Sequence, residues 1–113
     1  MTNYDLEERT KIFSLSLINL CKKLPFNSVN KRLVDQLIRS GTSIGANYRE
    51  ANETDTKKDF KNKIRIARKE ARETIYWLEL LMDSNEKHIK EIESLLDESR
   101  QLIKIIAAIY LNS

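Results

Sequence analysis

The chain has 113 residues, 33% of them charged, with one proline, two glycines and one cysteine. That length supplies one domain with a single core, and the scarcity of turn formers excludes a many-turned sheet protein in favour of long helices. A lone cysteine excludes an intrachain disulfide, and a net charge of +3 says less than the way the charges are distributed.

Four helical segments follow in chain order. The first runs from about Asp5 to Leu24, with Leu6, Phe13, Leu17, Leu20 and Leu24 on one face, and Pro25 ends it. Cys21 lies on an apolar face of this helix and reads as a small buried hydrophobe. The second runs from Ser28 or Asn30 to about Thr54, with Leu33, Leu37, Gly41, Ile44, Tyr48 and Ala51 inward. The third runs from about Lys57 to Asp83, with Phe60, Ile64, Ala67, Ala71, Ile75, Leu78 and Met82 on its core face. The fourth runs from about His88 to Leu111, with Ile92, Leu96, Ser99, Ile103, Ile106 and Tyr110 inward. Short polar connections between long helices predict an all-α, antiparallel up-down-up-down four-helix bundle, one domain over 1–113. Asp5, Glu7 and Glu8 break the basic-then-apolar order of a signal peptide. The most apolar stretch, Leu102 to Leu111, is too short to span a bilayer and is interrupted by Lys104. A cytoplasmic protein with no membrane partner is expected.

Both glycines, Gly41 and Gly45, fall four residues apart inside the second helix. Glycine in a helix interior costs roughly 1 kcal/mol relative to alanine, so the pair points to close approach of another backbone. With the small Ala67 and Ala71, the stripe is expected to let the second and third helices pack tightly. Ser43, Asn47, Tyr48, Arg49 and Glu50 accompany the glycines. Together they read as a packing motif, within which Asn47, Arg49 and Glu50 read either as polar site residues or as a buried or interfacial hydrogen-bond network.

Between Lys57 and Arg72 stand eight basic residues opposed only by Asp59 and Glu70. At about 100° per residue, Lys58, Lys61, Arg65, Arg68, Lys69 and Arg72 share one flank of the third helix. Asp59, Glu70 and Glu73 share the other flank with Ile66 and Trp77. A one-sided basic stripe is the footprint of a polyanion-binding surface, able to contact phosphates without reading sequence. Cations bridging to acids on adjacent helices would give the same stripe no ligand. Tyr76 ends the stripe, with no run of interleaved aromatics for base stacking.

One apolar stripe per helix suffices for a bundle, and this chain has more. Leu95, Leu102, Ile105 and Ile109 form a second stripe on the fourth helix; Ile12, Leu15 and Ile18 lie off the core face of the first, and Ile66 and Trp77 off that of the third. Left exposed, they would form a patch that monomers avoid, so self-association is expected through them. A broad core face in a monomeric bundle is the alternative.

Catalytic chemistry finds little footing. His88, the only histidine, sits at a turn or helix start, where it reads as a surface or capping residue with no Ser-His-Asp or Cys-His arrangement around it, and one histidine cannot supply the paired Glu-x-x-His of a di-iron bundle. No glycine loop cradles a phosphate, because both glycines lie within a helix. No enzyme activity, cofactor or metal is expected.

Ser43-Ile44-Gly45-Ala46-Asn47-Tyr48-Arg49-Glu50-Ala51, Lys58-Asp59-Phe60, Ile66-Ala67-Arg68-Lys69-Glu70-Ala71 and Glu73-Thr74-Ile75-Tyr76-Trp77-Leu78 occur in that order. Over residues 30–82 these blocks resemble the four-helix bundle proteins encoded in intervening sequences of bacterial 23S rRNA genes. The resemblance implies an antiparallel bundle and, from some members, a homopentamer. A related branch includes the accessory protein of diversity-generating retroelements, a basic pentameric barrel that binds nucleic acid and a reverse transcriptase. No catalytic residues transfer, and the link to ribosomal RNA is one of gene location. The expected partners are further copies of the chain and nucleic acid, RNA first. A protein partner such as a polymerase-like protein is the alternative.

Overall fold

Among the described residues, the helical periodicity of the sequence becomes four long helices. They are α1 (Asn3–Lys23), α2 (Ser28–Asn52), α3 (Lys57–Ser84) and α4 (Ile89–Leu111), with a single 3-10 turn at Glu86–His88 before α4. The structure, a computed structural model, describes residues 3–113, with side chains described from Asp5 onward; residues 1 and 2 of the expected domain lie outside the described residues. Local signals set the boundaries. The Asn27 carboxamide accepts from the Asn30 N–H at 2.8 Å and caps α2. The Thr56 hydroxyl accepts from the Asp59 N–H at 3.1 Å and caps α3, each satisfying an amide that the helix start leaves orphaned.

Contacts between neighbouring helices run in opposite chain directions. Leu17 meets Gly41 and Thr10 meets Gly45 between α1 and α2. Arg39 reaches Glu70 and Glu73, and Glu50 reaches Lys63, between α2 and α3. Lys23 pairs with Glu91, and Arg9 with Glu98, between α1 and α4. Tyr110 of α4 lies against Lys61 and Arg68 near the start of α3. The result is an up-down-up-down bundle measuring 44 × 23 × 19 Å, in which α2 packs most extensively on α3 and α1 touches α4 least.

The core holds the expected inward residues, with Leu17, Leu37, Ile44, Ile64, Leu78, Ile92 and Ile106 fully buried. Leu95 and Leu102 join them, at 6% and 0% exposure. This corrects the expectation that both are spare for an oligomer. A core-facing helix buries an arc wider than a single a/d seam, and both stripes of α4 fit inside it. Ile105, Ile109, Ile66 and Trp77 are half-buried, and Ile12 and Leu15 remain exposed at 55% and 51%.

The glycine stripe also needs correction. A Cβ at Gly41 would stand 2.4 Å from Leu17 Cδ1, and one at Gly45 would stand 2.8 Å from Thr10 Oγ1. Both neighbours belong to α1, so the glycines seat α1 on α2 and do not face α3. No described glycine has a positive φ, so space is their role. Toward α3, α2 presents Ser40, whose buried hydroxyl is hydrogen-bonded to that of Thr74 at 2.9 Å.

Candidate nucleic-acid interface

The third helix divides its charge between two sides with different surroundings. On the α2 side, Arg39 pairs with Glu70 Oε2 at 3.1 Å and with Glu73, whose carboxylate also accepts from the Trp77 indole N–H at 3.2 Å. Lys63 pairs with Glu50 at 2.8 Å on the same seam. Glu70 and Glu73 are thus spent within the protein, and Glu70 is buried in doing so.

On the other side stand Lys58, Lys61, Arg65, Arg68, Lys69 and Arg72. Lys58, Arg65, Lys69 and Arg72 are exposed, while Lys61 and Arg68 are half-buried. Among the described residues, no carboxylate forms a salt bridge with any of these six. Arg65, Arg68, Lys69 and Arg72 alone line a shallow open depression of about 330 Å³. Three guanidinium groups and an ammonium without an internal anion suit bidentate and point-charge contacts to phosphate.

Tyr110, read from its spacing as a core residue of α4, belongs to this surface as well. Its ring centroid lies 4.7 Å from Lys61 Nζ and 5.0 Å from Arg68 Cζ. Antiparallel pairing of α3 with α4 brings the end of one beside the start of the other, which spacing within α4 alone could not reveal. Tyr76 is exposed and meets Trp77 edge-on, with 5.1 Å between ring centroids.

The polar residues of the glycine block do not converge on a site. Ser43 donates to the Arg39 carbonyl, and Asn47 to the Ser43 carbonyl at 2.8 Å, both within α2. Glu50 turns to Lys63, and Arg49 lies 3.9 Å from Glu7 of α1. Asn52 donates to Glu7 at 2.9 Å. Burial pushes the Tyr48 phenol above its ordinary pKa, against a hydrogen bond with Asn52 that lowers it; the nearby Glu7 charge adds to the rise. Arg49 and Asn52 thus fasten α2 to α1, and Glu50 fastens it to α3. Among the described residues, no group of three His, Cys, Asp or Glu side chains could hold a metal, and no helix is long and apolar enough to cross a membrane.

Fold and surface together define a class: a small antiparallel bundle with one cationic side whose charges no described carboxylate pairs. The chain belongs to the 23S rRNA-intervening sequence protein family, whose model matches residues 2–108. It is similar to a crystal structure of a protein of unknown function from the S23 ribosomal protein family of Bacteroides thetaiotaomicron VPI-5482. The two are 39% identical over 92% of this chain and 96% of that one, with a TM-score of 0.80. No curated protein matches the chain.

Proposed function

We propose that this chain is a non-enzymatic nucleic-acid-binding protein, with RNA its first candidate ligand, acting in the cytoplasm as a ring-shaped homo-oligomer through the basic side of α3. The observation that carries this reading is the freedom of Lys58, Lys61, Arg65, Arg68, Lys69 and Arg72 from carboxylate partners, while the acids bordering α2 are engaged. A cation already paired inside a protein has little left to offer a phosphate; these six keep their charge and donors. Phosphate neutralisation releases counterions and needs no base-specific groups. Five subunits is the number that the family resemblance implies. Repetition of the basic side around a ring would add weak contacts through multivalency. Exposed Ile12 and Leu15, with half-buried Ile18, Ile66, Trp77, Ile105 and Ile109, supply apolar surface for association between copies.

Filter binding of a labelled RNA by the wild-type protein tests the reading. Tight binding at low salt that weakens steeply as salt rises is expected, and a flat response or no binding at low salt refutes it. Exposed Ile12 and Leu15 also support a second reading, a protein–protein adaptor whose basic side meets an acidic partner. A partner retained after nuclease treatment would favour that one.

A further inference from the structure

Six cations without a carboxylate partner on one helix face repel one another, and long exposed side chains lose rotamer freedom when a ligand fixes them. A carboxylate could hold a surface arginine in place but would also offset its charge. Here the two half-buried members, Lys61 and Arg68, are held by something else. The ring of Tyr110 lies 4.7 Å from Lys61 Nζ and 5.0 Å from Arg68 Cζ, and it is itself packed on the core at the end of α4. An aromatic face attracts a cation through its quadrupole but carries no net charge. It accepts none of the N–H donors at the edge of a guanidinium. A cation on a ring therefore stays a full cation with its donors open.

We infer that Tyr110 is the positioning residue of the basic side, fixing Lys61 and Arg68 before ligand arrives while leaving their charge and hydrogen bonds for phosphate. The inference rests on the nucleic-acid reading and adds to it a residue from a different helix. The face of Tyr110 is occupied by the cations, so it serves the phosphate backbone and does not stack a base. Pre-organisation lowers the ordering cost of binding without changing how many phosphates are neutralised. Affinity and salt dependence thus separate, which a loss of charge would not allow.

The test is fluorescence anisotropy with a labelled single-stranded RNA at several salt concentrations, using wild type, Tyr110→Phe and Tyr110→Leu. Tyr110→Phe keeps the ring and should bind within about twofold of wild type. Tyr110→Leu keeps bulk and loses the ring; it should bind about five- to tenfold more weakly at every salt concentration, with an unchanged slope of log K against log salt. Folded Tyr110→Leu binding like wild type, or Tyr110→Phe losing as much as Tyr110→Leu, would overturn the inference. Should Tyr110→Leu fail to fold, proton NMR of the wild type decides: upfield ring-current shifts of the Arg68 side chain support positioning, and their absence overturns it. Wild-type protein that binds no RNA at low salt rejects the nucleic-acid reading, and this inference with it; wild-type binding without a loss specific to Tyr110→Leu rejects the inference alone.

Discussion

Leu17 of α1 points a methyl group into the space where residue 41 of α2 would carry a Cβ, 2.4 Å from its ideal position. Gly41 is what permits the contact, and Gly45 repeats it one turn on against Thr10, whose Cβ lies 3.0 Å from the corresponding point. Replacing either glycine by alanine recovers about 1 kcal/mol of helix propensity and meets an overpacking cost of typically 1–3 kcal/mol. The Leu17 methyl is the far end of a side chain and can turn aside. Thr10 cannot, because its hydroxyl is held by the Leu6 and Glu7 carbonyls at 2.9 and 3.0 Å. Gly45→Ala should therefore lower the urea midpoint more than Gly41→Ala. A midpoint raised by Gly45→Ala would refute close approach as the reason for these residues.

At the end of the bundle near Pro25, Asn30 and Asn85 exchange hydrogen bonds through their carboxamides, at 3.0 and 3.1 Å. Asn30 also donates to the Pro25 carbonyl at 2.9 Å and Asn85 to the Leu81 carbonyl at 3.0 Å. Both are buried, so removing one strands the other in a dry site. Each single alanine substitution should cost about 1–3 kcal/mol. The double substitution should cost clearly less than the sum, because the two share one network. Strict additivity in a denaturation-based double-mutant cycle would show that the pair does not act as a unit.

Arg39 joins α2 to α3 by bridging Glu70 and Glu73. Arg39→Met should lower stability by about 1 kcal/mol, since the arginine is half exposed while Glu70 is left buried without its partner. Trp77, the only tryptophan, donates to Glu73, so its emission should change in the same variant. Unaltered emission and stability would mean that the cluster contributes nothing measurable. RNA affinity should not fall, because this seam lies on the side of α3 away from the free cations.

Cys21 is half-buried and burial pushes its thiol up to about 11. The folded state therefore keeps the proton where the unfolded state has lost it. Stability from this group is complete below the unfolded pKa, near 9.0, and falls as pH rises from there to about 11. Tyr48, raised chiefly by burial, acts with the same sign. Alkylation of the native protein at pH 8 should be roughly 100-fold slower than in denaturant, following the thiolate fraction. Equal rates in the two states would place Cys21 in water.

Much of the fold was legible because a 3.6-residue period survives intact in every helix. Leu6, Phe13, Leu17 and Leu20 were placed inward by spacing alone and are buried. Spacing identifies a face but not the neighbour it meets. The core stripe of α2 is flanked on one side by α1 and on the other by α3, so spacing within α2 does not tell that Gly41 and Gly45 face α1. Leu95 and Leu102 look spare by spacing for a related reason, because the width of a buried arc depends on how neighbours wrap around it. The grouping of the six cations of α3 needed only one helix and was readable. Their link to Tyr110 needed two helices in register and was not.

The salt dependence of RNA binding, compared between wild type and Arg65→Glu/Arg68→Glu, probes the free cations most directly. Each phosphate contacted on a single strand contributes about −0.7 to the slope of log K against log salt. The wild type should show a slope of about −3 or steeper, and the charge-reversed protein, still folded, should bind at least about tenfold more weakly with a shallower slope. Identical slopes and affinities in the two proteins would remove the basic side of α3 from any role in holding nucleic acid.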